Sequence, residues 1–131
     1  MNQTPEFSHE HTALNVPEVD AAGQWYCQNL NMKILRSGES VRYLADSTGR
    51  LIFEFYTNPD AEIPDYTQIA PATMHLAFYV SDVPDAVAKL TAAGATMFSD
   101  CETVDSGDEL AMLRDPWGIC LQLCQRAVPM V

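Results

Sequence analysis

Positive charge is scarce in this chain: 7 Lys and Arg stand against 18 Asp and Glu among 131 residues, for a formal charge of −11. A nucleic-acid groove or a polybasic membrane anchor needs clustered cations, so both are excluded as expectations. Cysteine is scarce as well. Cys27, Cys101, Cys120 and Cys124 form no Cys-x-x-Cys pair, and a disulfide scaffold is not expected. Long apolar runs are missing too. The opening segment MNQTPEFSHEH is polar, unlike a signal peptide, and the uncharged stretch Ile69–Ser81 contains Pro71 and His75 and is too short to span a bilayer. The expectation is a soluble, cytoplasmic protein with reduced thiols and no nucleic-acid or membrane partner.

What is present is enough apolar material for a core, at 47% hydrophobic residues, punctuated by 8 Pro and 6 Gly. The length predicts one domain, or two half-domains sharing a core. The chain resembles itself once, at an offset of about half its length. His11-Thr-Ala-Leu-Asn-Val16 corresponds to His75-Leu-Ala-Phe-Tyr-Val80, and each run alternates like a strand before breaking near a proline, Pro17 or Pro84. Helices are predicted over about Val19–Asn31, with Asp20 as N-cap and Trp25, Tyr26 and Leu30 apolar, and over Val83–Ala93, with Asp82 as N-cap and Ala86, Val87 and Leu90 facing the core. Gly94 stands where a terminator belongs.

Three strand-like runs follow each helix: Met32–Arg36, Val41–Ala45 and Leu51–Tyr56, then Thr96–Phe98, Leu110–Arg114 and Ile119–Gln125. The turns Asp46-Ser-Thr-Gly49 and Asp115-Pro-Trp-Gly118 also correspond. The order is therefore β-α-β-β-β, twice. Its modules span about residues 8–58 and 72–126, joined by a proline-bearing linker, 59–71. The acidic stretch Asp100–Glu109 reads as a solvated loop or a flap.

Alternate strand residues share a face. His9, His11, Ala13 and Asn15 lie on one side, as do Thr73, His75, Ala77 and Tyr79. Glu54 shares its side with Ile52 and Tyr56, away from Phe53 and Phe55; Gln122 shares its side with Cys120 and Cys124. An ionised Glu in an apolar strand is costly unless paired or coordinated. His11, Glu54, His75 and Gln122 occupy four repeat-related places, an N₂O₂ set suited to a first-row divalent metal. Taken singly, a strand His is more often a hydrogen-bonded structural residue, and Glu54 could face water. His9 shares the face of His11 but lies nearer the terminus. The thiols of Cys120 and Cys124 are better explained as small wall residues than as nucleophiles.

The segments HTALNV, FEFYTN, MHLAFYVSDV and RDPWGICLQL, in that order, resemble the vicinal oxygen chelate superfamily. It includes glyoxalase I, extradiol dioxygenases, methylmalonyl-CoA epimerases and fosfomycin- and bleomycin-resistance proteins. The resemblance, from about His11 to Gln125, implies a single α+β domain over 1–131: two βαβββ modules whose curved, cup-like mixed sheet carries the ligands inward. The likeness to glyoxalase I implies His11, Glu54 and His75 as ligands of a divalent Zn, Ni, Co, Mn or Fe. Its fourth ligand, normally a Glu, falls on Gln122. Glu54 is the implied catalytic carboxylate, and Asn15, Tyr56, Asn58, Tyr79 and Cys120 are candidate substrate contacts.

Two departures shape the functional expectation. Gln122 can lend an amide oxygen but cannot act as a general base. Asn15 stands where glutathione-using members carry an Arg. Lactoylglutathione formation is therefore expected to be weak or absent. The resemblance implies a lyase or isomerase acting on vicinal oxygens through an enediolate-type intermediate. Its alternatives are an extradiol-type dioxygenase and a bleomycin-resistance-like protein that sequesters a cationic ligand. It also implies a homodimer with sites at or near the interface.

Overall fold

The computed structural model describes residues 3–130, which divide between Ile63 and Pro64 into two compact units. The first unit contains β1 (Thr12–Asn15), α1 (Val19–Asn29), β2 (Lys33–Ser37), β3 (Val41–Ala45) and β4 (Leu51–Tyr56). The second repeats the order with β5 (Leu76–Tyr79), α2 (Val83–Ala92), β6 (Thr96–Thr103), β7 (Glu109–Arg114) and β8 (Cys120–Gln125). Each unit has a four-stranded sheet, β1-β4-β3-β2 in one and β5-β8-β7-β6 in the other. β1 runs parallel to β4 and β5 to β8, while the other neighbours are antiparallel. This is the α+β arrangement of two βαβββ modules. The expected linker is shared: 59–63 go with the first unit and 64–71 with the second.

In the first unit one sheet face is apolar and closed by α1. Trp25 and Tyr26 are buried, and Tyr26 sets its ring edge-on against Phe55 at 4.9 Å and Phe53 at 6.3 Å. Phe53 and Phe55 stack at 5.3 Å. Full burial of such an aromatic contributes enough that truncating it to Ala costs about 3–5 kcal/mol. Because successive strand residues alternate, burying Phe53 and Phe55 sends Glu54 to the opposite face. In the second unit Leu121 and Leu123 are buried in the same way, which sends Gln122 to its opposite face.

The helix caps differ in kind. Asp82 caps α2 as expected, its Oδ1 accepting from the Asp85 N–H at 3.0 Å. The N-cap of α1 is Glu18, not Asp20, and its side chain makes no capping bond. A distant hydroxyl serves instead. Thr57 Oγ1 accepts from the Val19 N–H at 3.0 Å and donates to the Val16 carbonyl at 2.7 Å. The first helix stops at Asn29 rather than Asn31, because Asn31 turns left-handed at φ 54°.

Half of the acidic stretch read as a loop or a flap is strand. Residues 100–103 extend β6 and Glu109 opens β7, leaving a short turn at 104–108. The pairing escapes the alternation rule because β6 is an edge strand with irregular register, exposed almost throughout. Leu35 and Phe98 are the extra residues at corresponding bulges in edge strands β2 and β6, and both are exposed, at 53% and 57%. Bulged edges of this kind resist pairing with another sheet. Among the described residues no helix is long and apolar enough to cross a membrane.

Candidate functional site

Parallel pairing of β1 with β4 sets Ala13 opposite Glu54, and His11 stands immediately before β1. The two side chains meet: His11 Nε2 is 2.9 Å from Glu54 Oε2. Both are half-buried, at 25% and 23% side-chain exposure, so the pair is only partly screened by water. The other ring nitrogen, Nδ1, lies 2.9 Å from Oε1 of Glu10. Tyr43, opposite Glu54 on β3, stands at right angles to the imidazole with ring centroids 5.8 Å apart. His11 thus has a carboxylate at each nitrogen and an aromatic ring against its edge.

The second unit repeats the register. Ala77 lies opposite Gln122, and His75 precedes β5 as His11 precedes β1. His75 Nδ1 is 2.8 Å from the Pro71 carbonyl oxygen. A carbonyl only accepts, so Nδ1 carries the proton and, in the neutral ring, Nε2 keeps its lone pair. The Gln122 amide oxygen accepts from the Cys124 thiol at 3.4 Å. No hydrogen bond joins His75 to Gln122 among those described; each is satisfied by a local neighbour.

Other candidate residues have mixed surroundings. Asn15 is buried, with its amide engaged: Nδ2 donates to the carbonyls of Asn58 and Glu62, and Oδ1 accepts from the Asn58 N–H. Asn58 turns its own side chain to the Asp60 N–H at 3.0 Å. Cys120 is 2% exposed, and burial pushes its thiol above the usual range, as it does for Cys124. Tyr56 is half-buried and Tyr79 is 71% exposed, so both phenols keep an accessible surface. His9 bonds to the Thr12 hydroxyl at 3.3 Å.

Donor chemistry decides what the pairs could hold. An imidazole nitrogen beside a carboxylate oxygen suits a first-row divalent ion, and an amide oxygen is a weaker member of the same class. Among the described residues, no three His, Cys, Asp or Glu side chains gather into a metal cluster. The first unit by itself brings together two donors, His11 and Glu54.

Residues 9–123 match the Glyoxalase/Bleomycin resistance protein/Dioxygenase superfamily, which covers both βαβββ modules. The chain belongs to that superfamily. Solved structures of similar fold include a glyoxalase-related enzyme from Fulvimarina pelagi, at TM-score 0.74 and 15% identity over 95% of this chain and 92% of that one. A glyoxalase/bleomycin resistance protein/dioxygenase family enzyme from Burkholderia phytofirmans PsJN aligns at 0.72 and 20% identity, over 89% and 97%. TioX from Micromonospora sp. ML1 aligns at 0.65 and 21%, over 95% and 100%. These likenesses concern the fold alone. No curated protein matches the chain.

Tyr43, one of the strand tyrosines that the sequence puts among the candidates to line the cup, is brought beside Glu54 by the β3–β4 hairpin register. Glu10 was not anticipated. It precedes His11, and strand parity would send adjacent residues to opposite faces. Both residues in fact lie before β1 begins, where that rule does not apply.

Proposed function

We propose that the chain is a metal-dependent, glyoxalase-like enzyme, a lyase or isomerase acting on a small substrate with vicinal oxygens. The observation that supports this reading is the contact of His11 Nε2 with Glu54 Oε2 at 2.9 Å on the sheet face away from α1. His11 and Glu54 would hold a divalent ion together with the corresponding residues His75 and Gln122, supplied by this chain or by a second copy in a homodimer. The ion would stabilise negative charge developing on two adjacent substrate oxygens.

Of the four residues, Glu54 is the one that can take up and return a proton in this role; the amide of Gln122 cannot. A single carboxylate on one face suits a shift of a proton between neighbouring carbons, removed and redelivered by the same group. Tyr56 and Tyr79 supply phenols for orienting the substrate. Asn15 and Cys120, satisfied or buried, are assigned to holding the fold.

A second reading is sequestration of a cationic ligand without turnover. It is favoured by the charge imbalance and by the engagement of four of the seven Lys and Arg side chains. Arg42 pairs with Asp20, Lys89 with Asp85 and Arg126 with Asp108, while Arg114 donates to the carbonyls of Tyr66, Ile69 and Gly118. Metal analysis of protein purified without chelator separates the readings. A stoichiometric divalent ion that disappears in His75→Ala supports the enzyme. Metal-free protein that binds an organic cation tightly supports sequestration.

A further inference from the structure

Both nitrogens of His11 face a carboxylate at the same distance: Nδ1 lies 2.9 Å from Glu10 and Nε2 lies 2.9 Å from Glu54. A carboxylate only accepts, and a neutral imidazole has one N–H to give. The two carboxylates therefore compete for that proton. If it sits on Nε2, that nitrogen has no lone pair to offer and one Glu54 oxygen is taken up by the hydrogen bond. If it sits on Nδ1, Glu10 takes the hydrogen bond and both Nε2 and Glu54 are free to act as donors.

We propose that Glu10 is a positioning residue that raises the population of the donor-ready tautomer of His11, which Glu54 alone would disfavour. The inference rests on the metal reading above for its purpose, but not for its chemistry. Glu10 itself is 75% exposed and lies outside the strands, so it is no part of the core. Its role is the one that outer carboxylates commonly play behind a ligating histidine, where they fix the proton and make the far nitrogen more basic. His75 achieves the same result with the backbone, through the Pro71 carbonyl. The first module thus uses a side chain where the second uses a main-chain oxygen.

The test is nitrogen-15 NMR of the imidazoles in metal-free protein, in a buffer basic enough for neutral rings, followed by titration with Zn²⁺. In the unaltered chain, equal distances predict that both His11 tautomers are populated, whereas His75 carries its proton on Nδ1. In Glu10→Ala the His11 proton moves to Nε2, the Nδ1–H population falls about tenfold, and His75 is unchanged. Zn²⁺ affinity falls by about tenfold, at the lower end for loss of such a partner. Glu10→Gln keeps an acceptor oxygen and restores much of both. An unchanged His11 tautomer in Glu10→Ala overturns the proposal, whatever the metal does. A tautomer shift in a chain that takes up no Zn²⁺ upholds the role of Glu10 and instead removes the metal reading.

Discussion

Asn15 and Asn58 exchange two hydrogen bonds, the Asn15 amide donating to the Asn58 carbonyl at 2.9 Å and accepting from its N–H at 2.8 Å. With a further bond to the Glu62 carbonyl at 3.0 Å, a buried side chain on β1 fastens the segment that leaves β4. Asn15→Ala removes all three bonds and should lower stability by about 1–3 kcal/mol, part of the loss being recovered by water at exposed Asn58. Chemical denaturation measures it. An unchanged midpoint would show that the clamp contributes nothing.

The corresponding turns at Gly49 and Gly118 differ in what surrounds them. Both glycines have positive φ, 86° and 94°, yet a Cβ on Gly49 meets nothing within 4 Å. On Gly118 it would fall 2.6 Å from Thr67 Cγ2 and 2.9 Å from the Thr67 backbone nitrogen. Gly49→Ala should therefore cost about 1 kcal/mol, the strain of the backbone alone. Gly118→Ala should cost about 3 kcal/mol or more, because Thr67 must also move. Thermal melts of the two variants check the order; equal losses would contradict it.

Asp108 accepts from the Ala127 N–H at 2.8 Å and pairs with Arg126 at 3.0 Å, and these bonds, the backbone one first, hold its carboxyl below the usual range. A carboxyl whose folded value is depressed adds stability above its unfolded value and loses it as pH falls through the folded one. The attachment of residues 126 and 127 should therefore loosen on acidification below the ordinary Asp range. Hydrogen exchange at the Ala127 amide reads this directly. In Asp108→Ala the protection factor, corrected for the intrinsic pH dependence of amide exchange, should already be low at neutral pH and insensitive to further acid. Acid-insensitive protection in the unaltered chain would contradict the assignment.

Gln122 tests the missing base. Turnover of the methylglyoxal–glutathione adduct should be weak or absent in the unaltered chain and should rise in Gln122→Glu, which restores a carboxylate. No rise would show that the substrate pocket, as well as the base, differs from glyoxalase I.

The repeated architecture was legible because two signals with different periods agree twice along the chain. β3 and β4 begin and end where their alternation does, and Asp82 caps α2 as its position suggests. What escaped was decided at a distance. Thr57 caps α1 from beyond the end of β4, 38 residues away. β6 runs past its apolar start because pairing with β7, interrupted by bulges, carries polar residues into the sheet. At the site, parity was enough to put Glu54 on the side opposite Phe53 and Phe55. The flanking of His11 by two carboxylates needed coordinates, since Glu10 acts from irregular chain.

The central claim is that the His11–Glu54 pair binds a divalent cation, and a Co²⁺ titration followed by visible absorption tests it most directly. The account predicts a saturable ligand-field spectrum in the unaltered chain and at least a roughly tenfold weaker affinity in His11→Ala and in Glu54→Ala, with folding intact. Saturable binding that survives both substitutions unchanged, or no Co²⁺ spectrum at all, would contradict it.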